Sequence, residues 1–204
     1  MTRILLARHG ETDWNHEGRW QGHSAQPLNA TGIAQAKALG RRLAGERIDA
    51  LYTSDLVRAT ETAAEVVRET GLEAILTPRL REVDVGDLVG LDRAEASRRY
   101  PDWYTRWRAG TDDSYPGGEQ FADLRERALA ALDRMAGRHA DGTAVAVCHN
   151  GIIRAITLHV LGLESGERRR IAHGPNGSLT VVERGRGRWR LVALNDSGHL
   201  AEMI

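Results

Sequence analysis

Apolar positions along this chain change period several times, and each change marks the boundary of an element. The unbroken run Ile4-Leu5-Leu6-Ala7, within residues 3–7, reads as a strand covered on both faces. Leu28, Ile33, Ala36, Leu39 and Leu43 then recur at helical spacing, with Thr31 as the expected cap. A second strand is predicted over residues 48–53. Ser54 is the expected cap of a helix that buries Ala59, Ala63, Val66 and Val67 and ends before Gly71. A short strand over 72–77 runs into Pro78, and residues 81–118 read as irregular, mixing Asp, Gly, Arg and aromatic side chains. Phe121, Leu124, Ala128, Leu132 and Met135 form one more apolar stripe. Residues 143–148 read as a buried strand and 152–161 as a helix. A hairpin over 178–183 and 189–194 turns at Gly185-Arg186-Gly187.

Strands alternating with helices predict an α/β fold. The expected form is a three-layer α/β/α sandwich with a mostly parallel central sheet, an antiparallel edge hairpin and a small cap insertion at about 81–118. The 204 residues are read as one domain, 1–204.

Parallel strands send their carboxyl ends to one edge, so three strand ends should share a crevice. They carry Arg8-His9, Ser54 to Arg58, and His149-Asn150-Gly151. Two arginines and two histidines gathered there repel one another unless an anion sits among them, which points to phosphate. Glu82 offers a carboxyl group at the start of the irregular segment.

Charge and composition narrow the classes. The 28 basic and 28 acidic residues balance, which argues against nucleic acid or an anionic membrane as partner. Lys37 is the one lysine, and the arginine excess reads as base composition of the gene; Arg168-Arg169-Arg170 reads as a solvated face. A lone Cys148 excludes an internal disulfide and fits a reducing compartment, with the cytoplasm as the expected location. No apolar stretch suits a signal peptide or a membrane span.

Five ordered blocks together resemble the histidine phosphatase superfamily, the phosphoglycerate mutase-like group. They are Leu6 to Asn15 with Gly18-Arg19, Gln21-Gly22 and Pro27-Leu28; Tyr52 to Ala59 with Thr62-Ala63; Leu80 to Gly90; Gly117-Gly118-Glu119; and His149-Asn150-Gly151. The resemblance implies that His9 is a nucleophile forming a phosphohistidine, with its other ring nitrogen donating to a nearby backbone carbonyl. It implies that Arg8, Arg58 and His149 hold the transferred phosphoryl group, and that Asn15, Gln21, Gly22 and Asn150 line the pocket. Glu82 would act as acid and then base. No metal and no cofactor are expected. The implied partner is a small phosphorylated substrate, and a homodimer through the sheet edge is compatible with the pattern.

The chain departs from the family pattern at Ala25, Leu88-Val89, Gln120 and Asn150, none of which removes a catalytic group. The short stretch between Glu82 and His149 favours hydrolysis over mutase chemistry, which must shield the intermediate from water. Two other readings compete. Cys148 to Arg154 has the C-x5-R spacing of cysteine-dependent phosphatases, and a chain that kept the pocket without turnover would be a phospholigand sensor. Trp14, Trp20, Trp103, Tyr104 and Trp107 are expected either to wall the pocket or to pack the cap. His16, His23, His139, His159, His173 and His199 have no motif context and read as structural.

Overall fold

The computed structural model describes residues 1–203. In chain order the elements are β1 (Thr2–Arg8), α1 (Asp13–His16), α2 (Ala30–Ala44), β2 (Ala50–Thr53), α3 (Val57–Thr70) and β3 (Ala74–Leu76). They continue with α4 (Arg93–Arg99), α5 (Pro101–Ala109), α6 (Phe121–Arg138), β4 (Thr143–Cys148), α7 (Asn150–Leu161), β5 (Leu179–Gly185) and β6 (Arg188–Asp196), with short 3-10 turns between.

The six strands form one sheet in the order β3-β2-β4-β1-β5-β6. The first four run parallel and the hairpin of β5 and β6 joins β1 antiparallel, as the α/β reading requires. Alternate residues of the central strands feed opposite faces. Leu5, Ala7, Leu51, Val145 and Val147 pack with α2 and α3 through Leu39, Leu43, Ala59 and Val66. Ile4, Leu6, Tyr52, Ala146 and Cys148 pack with α6 and α7 through Leu124, Leu132, Ile152 and Ile156. Burial on both sides is why these strands read as continuous apolar runs rather than as alternation. The hairpin turns on Arg186 (φ 50°) and Gly187 (φ 77°), two left-handed residues that match the twist of the strands they join.

Several boundaries differ from the sequence reading, each for a local reason. Helix α2 is capped by Asn29, whose side chain accepts from the Gly32 N–H at 2.8 Å and donates to Glu11 Oε1 at 3.0 Å; Thr31 lies inside the helix. With the start moved back, Ile33 turns outward and is 42% exposed. Ser54 is not the cap of α3. Leu56 holds that position without a side-chain bond, and Ser54 Oγ has another partner, described below. The end at Gly71 stands as read: φ is 72° and its N–H reaches Val67 O at 2.8 Å.

The segment 81–118 is less irregular than its composition suggested. A capping box of Asp92 and Glu95 starts α4, and Pro101 starts α5. Trp103 packs into the core below them, 6% exposed, beside Trp20, Trp107 and Tyr115. Among the described residues no helix is long and apolar enough to cross a membrane.

Candidate active site

Register explains why the two histidines meet. Arg8 pairs with Cys148 across β1 and β4, and the His9 N–H extends that ladder to Cys148 O at 3.0 Å. His9 and His149 therefore stand side by side one residue past the pairing, with ring centroids 5.0 Å apart. The residues named from the sequence converge here: Arg8, His9, Asn15, Gln21, Gly22, Arg58, Glu82 and Asn150 line one cavity of about 250 Å³, with His149 buried behind His9.

His9 Nδ1 lies 2.7 Å from its neighbour's carbonyl, Gly10 O. That oxygen can only accept, so Nδ1 carries the proton and Nε2 keeps its lone pair. Arg58 Nε stands 3.3 Å from Nε2. Burial, then the charges of Arg58 and Arg8, push the His9 pKa well below its ordinary 6.5, so the ring is neutral at physiological pH. Close backbone packing fixes this turn. A Cβ on Gly10 would overlap Gly32 O, and the Gly10 N–H donates to Thr62 Oγ1 at 3.0 Å.

Arg58, on the first turn of α3, is 1% exposed with no acidic partner within ion-pair reach among the described residues. Carbonyls hold it instead: Gly22 O at 2.8 Å and Ser24 O at 3.1 Å. Burial pushes its pKa down to about 10, still charged at neutral pH. Arg8 donates through one nitrogen to Gly174 O and leaves its buried Nε unpartnered. Gly22 thus contributes its left-handed turn (φ 50°) and its carbonyl, and Gln21 Oε1 is buried without a partner.

Ser54 explains itself here. Its hydroxyl oxygen accepts from the Leu56 N–H at 3.3 Å, and among the described residues His149 Nε2, at 2.9 Å, is the acceptor in reach of its proton. With Nε2 accepting, His149 holds its proton on Nδ1, a buried atom with no protein partner. Burial, Arg58 and His9 keep this ring neutral as well.

Glu82 comes from outside the sheet and is gripped by backbone. Its Oε1 accepts from the Gly151 N–H at 3.0 Å and the Val83 N–H at 2.9 Å, and Oε2 from Gly151 at 3.2 Å. A Cβ on residue 151 would overlap Oε1, which is why glycine follows Asn150. A brace the sequence reading missed lies behind. Arg127 of α6 donates to Arg81 O at 2.6 Å and Glu82 O at 2.8 Å, and forks onto Glu119, whose Oε2 accepts from the Asp84 N–H at 3.2 Å. His23, read as structural, sits 2.8 Å from the same Glu82 O through Nε2.

Two further expectations are corrected. Arg168 is not part of a solvated face: it is 5% exposed, donates to Asp112 O at 2.7 Å, and lines the cavity. His173 also lines it, 2.7 Å from the Asn150 amide and 2.8 Å from Arg154. Of the aromatic residues, Trp14, Trp20 and Trp107 reach the cavity together with Tyr115, whereas Trp103 is core. Cys148 is fully buried in the β-strand with its thiol pKa pushed up by burial, and Arg154 bonds to His173 and Arg168 O, so no C-x5-R anion loop forms. Among the described residues no group of three or more His, Cys, Asp or Glu is placed to hold a metal.

Residues 4–197 match the model of the histidine phosphatase superfamily, branch 1. The chain is 36% identical to a metal-independent phosphoserine phosphatase of Arabidopsis thaliana over 207 residues, which covers 100% of this chain and 85% of the relative. Among solved structures it resembles Bacillus stearothermophilus YhfR, with a TM-score of 0.93 and 30% identity over 98% of this chain and 100% of the other. It also resembles a mycobacterial glucosyl-3-phosphoglycerate phosphatase complexed with VO3, with a TM-score of 0.87 and 31% identity over 96% and 99% of the two chains.

Proposed function

We propose that this chain, which belongs to the histidine phosphatase superfamily and is a metal-independent phosphatase, hydrolyses small phosphomonoesters through a phosphohistidine on His9. The observation that carries this reading is the state of His9: neutral, with Nδ1 tied to Gly10 O and Nε2 beside Arg58. A nucleophile must present a lone pair at working pH, and burial between two arginines supplies that without a general base.

In the first step Nε2 attacks phosphorus in line, the N–P bond forms, and the ester P–O bond breaks. The alcohol leaves with a proton from Glu82. Arg8 and Arg58 face the oxygens that gain charge, and His149 offers its Nδ1–H to one of them. In the second step water attacks phosphorus, gives its proton to the Glu82 carboxylate, and His9 departs as a neutral ring. Glu82 is suited to both roles because backbone N–H groups fix both its oxygens at the mouth of the cavity. Phosphoserine, named for the Arabidopsis relative, and the glucosyl-3-phosphoglycerate named for the mycobacterial one belong to the substrate class that this pocket suits.

The test is phosphate release from p-nitrophenyl phosphate and a panel of alkyl phosphomonoesters in EDTA, from mildly acid to neutral pH. Turnover that persists in EDTA is expected. No release above buffer, or loss in EDTA restored by divalent ions, would overturn the proposal.

A further inference from the structure

The segment of residues 172–178, which leads into β5, lines the cavity only through His173, yet it grips the turn that bears the nucleophile. Ser178 O accepts the Arg8 N–H at 2.9 Å, and the Gly177 N–H reaches Arg8 O at 3.1 Å and His9 O at 3.2 Å. Gly174 O takes one guanidinium nitrogen of Arg8. Gly177, at φ 80°, sits in a turn closed by the Ser178 N–H on Pro175 O at 3.2 Å, and that turn carries Asn176 back to the end of β1.

Asn176 Nδ2 meets three oxygens there: His9 O at 3.0 Å, Gly10 O at 3.3 Å and Asn15 Oδ1 at 3.1 Å. Backbone carbonyls only accept, so the amide nitrogen, not its oxygen, must face them. Two successive carbonyls aimed at one point repel unless a donor stands between them, and this amide supplies two N–H groups. One of the pair, Gly10 O, is the oxygen that takes the proton of His9 Nδ1. Its direction is therefore set from both sides, by the ring and by Asn176. The segment is itself anchored away from the site. Asn195 of β6, left-handed at φ 56° where the β5–β6 register shifts, donates to Ala172 O at 3.1 Å, and His199 Nε2 donates to Gly177 O at 3.0 Å.

We propose that Asn176 is a positioning residue for the nucleophile: it fixes the carbonyls of His9 and Gly10, and through them the tautomer and aim of the His9 ring, without touching substrate. The proposal rests on the phosphohistidine reading and adds to it a residue outside the cavity. Asn15 is not the route of the effect. Its Oδ1 also accepts from the Thr12 N–H at 3.2 Å and Oγ1 at 3.1 Å, so its orientation survives the loss of Asn176.

The experiment separates attack from binding in Asn176→Ala and Asn176→Asp, the second of which keeps the shape and replaces the donor nitrogen by oxygen. The kcat/KM for p-nitrophenyl phosphate, which reads the attack by Nε2, is expected to fall roughly 10-fold to 100-fold in both, the scale of a misplaced reacting group. The Kd of inorganic phosphate, by calorimetry, should stay within about threefold. Nitrogen NMR of the His9 ring, assigned by its loss in His9→Ala, should show the Nδ1–H tautomer alone in the wild type and both tautomers in Asn176→Ala. Asn195→Gly suits the left-handed backbone and removes only the bond to Ala172 O; a smaller loss of kcat/KM in the same direction is expected. A kcat/KM within about twofold of wild type in both Asn176 variants, or a phosphate Kd that weakens as much as kcat/KM falls, would overturn the proposal. Should the Asn176 variants not fold, an unchanged kcat/KM in Asn195→Gly overturns it. Should no ester turn over in the wild type, the phosphatase reading fails by itself. The His9 tautomer then decides the positioning role, and a ring still held only as Nδ1–H in Asn176→Ala overturns it.

Discussion

The cavity has two walls built on different principles. The wall of Arg8, His9 and Arg58, backed by the buried His149, hangs from the ends of β1 and β4 and the first turn of α3, and ladder register alone sets the spacing of the two histidines. The opposite wall, with Arg93, Trp107, Tyr115, Arg168 and His173, sits on short helices and turns. Positions on the first wall are over-determined by the sheet, by Gly10 packed on Gly32 and by carbonyls that fix Arg58; a displaced atom there disturbs the core. On the second, Arg168 and His173 are each held by two hydrogen bonds, and Arg93 makes no ion pair among the described residues. Chemistry belongs where the backbone cannot shift, and recognition where side chains can be exchanged without loss of the fold. Glu82 crosses this division: it stands on the loop side yet is gripped as firmly as the histidines.

Substitutions can break or sharpen that contrast. The largest effect after loss of the nucleophile is expected from Glu82→Gln, with kcat/KM for an alkyl phosphate falling roughly 10²–10⁴-fold. The loss with p-nitrophenyl phosphate should be smaller because its leaving group needs no proton. Equal losses on both would show that Glu82 acts by position alone. Arg127→Met cuts the brace without touching the cavity, and kcat is expected to fall on the order of 10-fold to 100-fold with KM little changed. An unchanged kcat would mean that Gly151 and Val83 suffice to hold Glu82.

The neutral histidines give a pH signature of the strand-borne wall. In the unfolded chain a histidine takes its proton near 6.5, while folded His9 and His149 stay neutral well below that. The unfolded state therefore binds more protons as pH drops below 6.5, and the fold loses up to about 1.4 kcal/mol per histidine per pH unit. Above 6.5 this contribution is constant. Thermal unfolding followed from pH 7.5 to 5.5 should show Tm declining only in the lower part of the range, and inorganic phosphate should reduce the decline. A flat profile would contradict the assignment of two buried neutral rings. The smallest effect is expected from Cys148→Ser: turnover within about twofold, with roughly 1–3 kcal/mol of stability lost to a buried hydroxyl.

The strand-borne wall was legible in the sequence because a doubly buried strand leaves a continuous apolar run, and His9 and His149 each follow one directly. What was hidden depended on direction within a turn. Arg168 looked like its neighbours in a run of three arginines, yet the 3-10 turn aims it inward, where Asp112 O accepts. Ser54 has the composition of a cap and stands two residues before the capping position, so its hydroxyl serves His149. Arg127 and Glu119 lie eight residues apart, and only the docking of α6 against residues 79–84 shows that they brace Glu82. His173 is brought to Asn150 by a loop with no motif of its own.

The central claim is that His9 carries the phosphoryl group. Rapid acid-free quenching of the protein during turnover of labelled p-nitrophenyl phosphate, followed by peptide mapping, tests it most directly. The account expects an acid-labile, alkali-stable label on the peptide containing His9, absent from His9→Ala, whose turnover should fall by about 10³-fold or more. Label on the peptide containing Cys148, or full turnover by His9→Ala, would contradict it.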